Sequence, residues 1–213
     1  MCGRYAIDPR KLERLVRLLS LPDPKFTAHF DIHPSQTVPV ILDAGNGPEW
    51  SMMRWGLVPH WAKEAKTAYS TFNARVETAA QKPAFREPWK HRRCIIPATG
   101  FYEWQALESG KKQPWYFDGA DRQALALAGL WDHWTDGNDT LDSCTILVGP
   151  PDPAVASIHD RSPVILGDAA LPLWISPLLK APDIHRVVEM PHTGLEAQRV
   201  SSVADDGLHP LTA

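Results

Sequence analysis

Near the start of the chain, Asp8-Pro9 offers an N-cap carboxylate followed by a proline in the first turn. Leu12, Leu15, Val16 and Leu19 then fall at helical spacing, until Pro22 and Pro24 stop the run. Short apolar or alternating runs take over from there. Residues 38–42, 51–56, 94–98, 100–105, 115–117, 124–130, 145–148 and 164–166 are bounded by Gly, Pro, Asn or Asp and predict strands. Glu108-Ser109-Gly110 predicts the tip of a hairpin. Helical pieces are expected over 76–81, 154–158 and 169–174, and the 20 prolines keep every element short. No internal repeat or low-complexity linker interrupts the pattern. The expectation is one α+β domain over residues 1–213, built on a strongly curved, mostly antiparallel, barrel-like sheet with flanking short helices. Its core would span about 1–175, with a C-terminal extension, 176–213, packing on it.

Composition narrows the classes. With 213 residues, 44% hydrophobic and 22% charged, the chain can bury a core and is not globally disordered. No apolar stretch is long enough to span a bilayer, and Met-Cys-Gly-Arg-Tyr lacks the basic and apolar regions of a signal peptide. Three widely spaced cysteines, Cys2, Cys94 and Cys144, suit neither a disulfide framework nor a zinc site. A reducing cytoplasmic setting is expected, with no cofactor, metal or membrane partner.

The net charge of −3 hides an uneven distribution. Residues 54–93 hold nine basic and three acidic groups, a local balance of +6, whereas residues 94–213 sum to −9. Trp50, Trp55, Trp61 and Trp89 lie in or beside the basic stretch, with Tyr69, Phe72 and Phe85 between them. Cations interleaved with rings suit single-stranded nucleic acid, where phosphates meet Arg or Lys and bases stack. The competing expectation is a solvated charged face over rings that fill the core.

Four segments carry candidate chemistry. Initiator Met is normally removed before a small residue, which would leave Cys2 with a free α-amine beside its thiol. Such an aminothiol can attack an amide or ester, or condense with an aldehyde and close to a thiazolidine. Arg4 nearby would lower the thiol pKa or hold a phosphate. In Phe72-Asn73-Ala74-Arg75-Val76-Glu77, Asn73 is either a helix N-cap or a group that orients a reactive amine, and Arg75 could fork a phosphate. Glu103 sits among aromatics in Phe101-Tyr102-Glu103-Trp104; pointing inward it would be a general acid, pointing outward a surface carboxylate. His159, in Ile158-His159-Asp160-Arg161, is a proton carrier with an anion-binding neighbour.

These segments, with RWGLVPHWAK, FREPWKHRRCIIPATGFYEW, KKQPWYF, ALAGLW and IHDRSPVIL, resemble the SOS-response-associated peptidase (SRAP) family of abasic-site-processing proteins, from residue 1 to about 166 and weakly beyond. The resemblance implies a single mixed domain with a positively charged DNA cleft, in which Cys2, exposed by loss of Met1, bonds the open aldehyde of an abasic deoxyribose. It carries over Asn73, Glu103 and His159 as site positions and Arg4, Arg75 and Arg161 as phosphate or framework positions. Pro34 and Trp61 are the expected DNA-facing residues of two loops. Asp31 and His33 depart from the family pattern, which usually has Asn and a small residue there. Trp61 stands where some relatives have two tryptophans, and the segment 200–203 lacks a following Asn. The implied partner is single-stranded DNA containing abasic sites, bound by a monomer with peptidase-like removal of Met1 and a crosslinking or lyase activity. Two other readings remain open: an N-terminal-nucleophile cysteine amidohydrolase, and a non-catalytic module that binds single strands or modified bases.

Overall fold

The computed structural model describes residues 2–66 and 70–203; Met1, Tyr69 and the last ten residues of the expected C-terminal extension lie outside the described residues. The elements run β1 (Arg4–Ile7), α1 (Glu13–Leu18), β2 (His29–Ile32), β3 (Thr37–Asp43), β4 (Pro48–Trp55), β5 (Asn73–Arg75), α2 (Val76–Ala79), α3 (Arg86–His91), β6 (Arg93–Ala98), β7 (Gly100–Ala106), β8 (Lys112–Gly119), β9 (Leu125–Thr135), β10 (Thr140–Gly149), β11 (Ser162–Pro163), α4 (Leu171–Ile175), α5 (Ile184–Val188) and β12 (Leu195–Arg199).

Two sheets form. One has the order β12-β8-β7-β1-β2, antiparallel throughout. The other runs β11-β10-β4-β3-β6-β9 and closes on itself, because β9 and β10 also pair, leaving a five-stranded barrel. The expected α+β class with a curved, mostly antiparallel, barrel-like sheet is what the chain adopts; the exceptions are β4 and β5, which run parallel to β10. Closure demands close approach at the seam. A Cβ on Gly129 would lie 2.7 Å from Ile96 Cδ1 and 2.9 Å from Cys94 Sγ, so only glycine fits where β6, β9 and β10 converge.

Trp55, Trp89, Trp134, Trp174, Tyr5, Phe101 and Phe117 are buried in the interior, so four of the nine tryptophans take the core role. Arg93 is buried with them and donates to the carbonyls of Trp174 (2.9 Å), Trp89 (3.0 Å) and Ser176 (2.8 Å), joining α3 to the end of α4. Burial lowers its pKa to about 10. The α5 residues Ile184 and Val187 are also buried, and β12 adds an edge strand to β8.

Several elements depart from the expected pattern. The first helix is split: Asp8 caps a single 3-10 turn, Pro9–Lys11, and α1 begins after Leu12. Residues 154–158 form turns rather than a helix, because Asp152 accepts from Ala154, Val155 and Ala156 and holds them to one tight turn between prolines. Residues 164–166 make only one isolated bridge, Leu127 to Ile165, and the true strand is the two residues before them. The hairpin tip at 108–110 is present, closed by Leu107 and Lys111, with Gly110 at φ 77°.

Candidate active site

Cys2 sits just before β1, and β1 lies between β2 and β7. Its neighbour across the sheet is β7, where Arg4 pairs with Tyr102, so the carboxyl of Glu103 falls beside the start of the chain. Glu103 is only 3% exposed and Cys2 is fully buried. Burial pushes the Cys2 thiol far above the ordinary thiol range, and the nearby Glu103 carboxylate pushes it further. Burial likewise raises the Glu103 carboxyl, and the charge of His159 opposes that rise. Of the two directions open to Glu103, the structure takes the inward one: both faces of this part of β7 are covered.

His159 and Glu103 line one open cleft of about 460 Å³, together with Trp104 and Lys112. The Arg161 backbone N–H donates to His159 Nδ1 at 3.0 Å. Asp160 Oδ1 lies 3.1 Å from the same Nδ1. Trp104 and Lys112 were not singled out from the sequence. Trp104 neighbours the acid, and Lys112 lies across the hairpin, opposite Ala106, a register that only the folded hairpin reveals.

Asn73 is not a helix cap. It lies in β5, paired with Ile146, while the N-cap position of α2 is Arg75. Asn73 Nδ2 donates to the Phe72 carbonyl (3.1 Å), which also accepts from Trp55 Nε1 (2.8 Å); the Trp55 ring stands edge-on to Tyr5, 5.3 Å away. Asn73 Oδ1 is buried without a hydrogen-bond partner. Asn73 and Arg75 line a second cleft of about 510 Å³ with Lys82 and Phe85, so Asn73 does not share the cleft of Glu103 and His159.

The expected DNA-facing residues divide into free and paired. Arg75 is exposed. Arg161 is ion-paired with Glu77, whose carboxyl stays below the ordinary range despite partial burial, held by hydrogen bonds and by Arg161 and Arg75. Arg4 is ion-paired with Asp31 on β2. Pro34 is half-buried in a loop where Ser35 adopts φ 81° and donates to the Trp55 carbonyl at 2.8 Å. Trp61 is 52% exposed.

The family model for SOS response associated peptidase (SRAP) matches residues 1–205. The chain belongs to the SRAP family. Among similar SRAP relatives is a Bacillus subtilis (strain 168) protein named abasic site processing protein YoqW, 35% identical over 96% of this chain and 94% of that protein. A Xenopus tropicalis protein named abasic site processing protein HMCES is 33% identical, over 71% of this chain and 54% of its own length. A crystal structure of a Bordetella bronchiseptica protein matches with a TM-score of 0.80 at 30% identity, over 94% of this chain and all of that one. One from Bacteroides thetaiotaomicron matches with a TM-score of 0.81 at 23% identity over 93% and 92%, and speaks for the fold. Asp31 supplies the carboxylate that occupies Arg4. No described helix is long and apolar enough to cross a membrane.

Proposed function

We propose that this protein processes abasic sites in single-stranded DNA, as a monomer, by forming a covalent crosslink at Cys2. The observation that carries the reading is the burial of the Cys2 thiol beside a carboxyl of raised pKa that shares a cleft with His159. In the full sequence Met1 precedes Cys2, so the nitrogen of Cys2 is an amide until Met1 is removed, by the protein itself or by an aminopeptidase.

The freed α-amine adds to the aldehyde carbon of the ring-opened deoxyribose, giving a carbinolamine. Glu103, as the acid, protonates its hydroxyl and water leaves, giving an imine. The thiol then adds across the C=N bond: sulfur bonds to carbon and the thiol proton ends on nitrogen, closing a thiazolidine with the net loss of one water. His159 moves protons between these positions and speeds the initial opening of the sugar hemiacetal. A thiol held in its protonated form suits this order, in which the amine reacts first, and disfavours the thiolate attack on an amide that an amidohydrolase needs. Arg75 and the basic segment meet phosphates, and Trp61 offers a stacking face.

Mass spectrometry after mixing the protein with a single-stranded oligonucleotide, uracil-containing and treated with uracil-DNA glycosylase, tests the proposal. The expected adduct equals protein minus Met1, plus DNA, minus one water. Cys2→Ser should give no heat-stable adduct; a stable unreduced adduct from that variant would overturn the assignment.

A further inference from the structure

The mechanism leaves the deeply buried carboxylate of Asp132 unused. Asp132 on β9 has a side chain only 2% exposed. Its Oδ2 accepts from the His60 backbone N–H at 3.0 Å and lies 3.1 Å from His60 Nδ1. Its Oδ1 accepts from the His133 N–H at 2.9 Å and lies 3.1 Å from Arg92 Nη2. Two residues further along the same strand, Trp134 Nε1 donates to the Ala62 carbonyl at 2.8 Å. The turn between these anchors is closed by Ala62 N–H on the Pro59 carbonyl (2.9 Å), and Trp61 stands at its crest, half exposed.

A large exposed ring on a turn pinned at both flanks is costly unless the ring has work to do. A free loop would let Trp61 fold onto apolar surface, and ordering it at the moment of binding would weaken the complex. Here the ordering is done in the folded state. We infer that Asp132 and Trp134 are positioning residues that hold the His60–Ala62 turn so that Trp61 presents a rigid stacking face to an unpaired base of the bound strand. This rests on the proposed single-strand binding, and it adds residues on β9 to the binding machinery without touching the Cys2 chemistry. Lys63, next beyond the turn, lines a cleft with Arg54 and Trp134 that also holds Glu64, Asp136 and Asp139.

The test uses a single-stranded oligonucleotide carrying a tetrahydrofuran abasic analogue, which has no aldehyde and cannot be crosslinked, so its result is independent of the covalent step. Trp61→Ala should weaken binding about tenfold, the loss of one base stack. Trp134→Phe keeps an aromatic ring but removes the indole N–H together with the pyrrole half of the ring; it should weaken binding about threefold, through lost order in the turn. Asp132→Asn should act in the same direction. In a Trp61→Ala background the Trp134→Phe effect should vanish, because nothing remains to be positioned. The dependence of affinity on salt should stay unchanged in Trp134→Phe, since no phosphate contact is removed. Equal Trp134→Phe losses with and without Trp61, or full affinity in Trp61→Ala, would overturn the inference. The adduct mass with a true abasic site reports separately on Cys2.

Discussion

Replacing Glu103 with Gln tests whether the buried carboxyl is an acid or a framework group. An ordinary glutamic acid, at the reference pKa of 4.5, keeps its proton in about one molecule in 300 at pH 7. Each unit by which burial raises that pKa multiplies the protonated fraction about tenfold. At 3% exposure Glu103 is therefore a usable acid in a pH range where surface carboxylates are not. Glutamine preserves the shape and cannot give up a proton, so single-turnover crosslinking should slow by about 10²–10⁴-fold, the usual worth of general acid catalysis. The pH profile carries the sharper signature. The wild-type rate should rise with pH as the Cys2 amine loses its proton, then fall as Glu103 loses its own; Glu103→Gln should keep the rise and lose the fall. The assay follows the crosslinked band against time on pre-formed abasic single strand from pH 5.5 to 9. Microscopic reversibility requires the variant to slow release from the adduct as well. A wild-type rate, or a slowed rate with an unchanged profile, would reduce Glu103 to packing.

Asp31→Asn should free Arg4 and remove a negative charge from the binding face. The pair is roughly one-third exposed, so affinity for single strands should rise by only about twofold to fivefold, with a steeper salt dependence measured by anisotropy titration. Asp118 on β8 is a buried carboxyl raised by desolvation, with Oδ1 lacking a hydrogen-bond partner. A raised folded pKa makes its contribution fullest at low pH and erodes it as pH climbs, so Asp118→Asn should raise Tm by about 2 °C at pH 8 and change it little at pH 4. Arg93→Met should cost about 3–5 kcal/mol in urea unfolding, because several buried carbonyls lose their donor together.

What the sequence made legible follows from where side chains alone decide the outcome. Runs such as Ile95-Ile96 and Ala126-Leu127-Ala128 have both faces in the core, so β6 and β9 announced themselves. β1, β2, β5 and β12 did not, because Arg4, His29, Asp31, Asn73, Arg75 and Gln198 break the alternation, and these strands are defined by partners far along the chain. The turn at 153–158 mimicked a helix because a capping aspartate serves both. Of the candidate site, Cys2, Glu103 and His159 stand out in the sequence by residue type, while the inward direction of Glu103 depended on what covers β7. Arg4 with Asp31 and Asp132 with His60 are contacts across the fold, which no local spacing could signal.

The position of Cys2 also has a mechanical consequence. A DNA strand joined to this residue would pull on the first strand of the chain, and that strand is not at a margin. β1 is flanked by β7 on one side and β2 on the other, with Arg4, Tyr5 and Ala6 in register with Tyr102, Phe101 and Gly100. Tension along the DNA would meet two ladders of hydrogen bonds loaded together, with the buried ring of Tyr5 acting as a peg behind the attachment point. A polymerase or helicase pushing against such a proposed adduct would have to tear the middle of a sheet before it could peel the protein from its terminus, so an attachment at Cys2 would be braced against force.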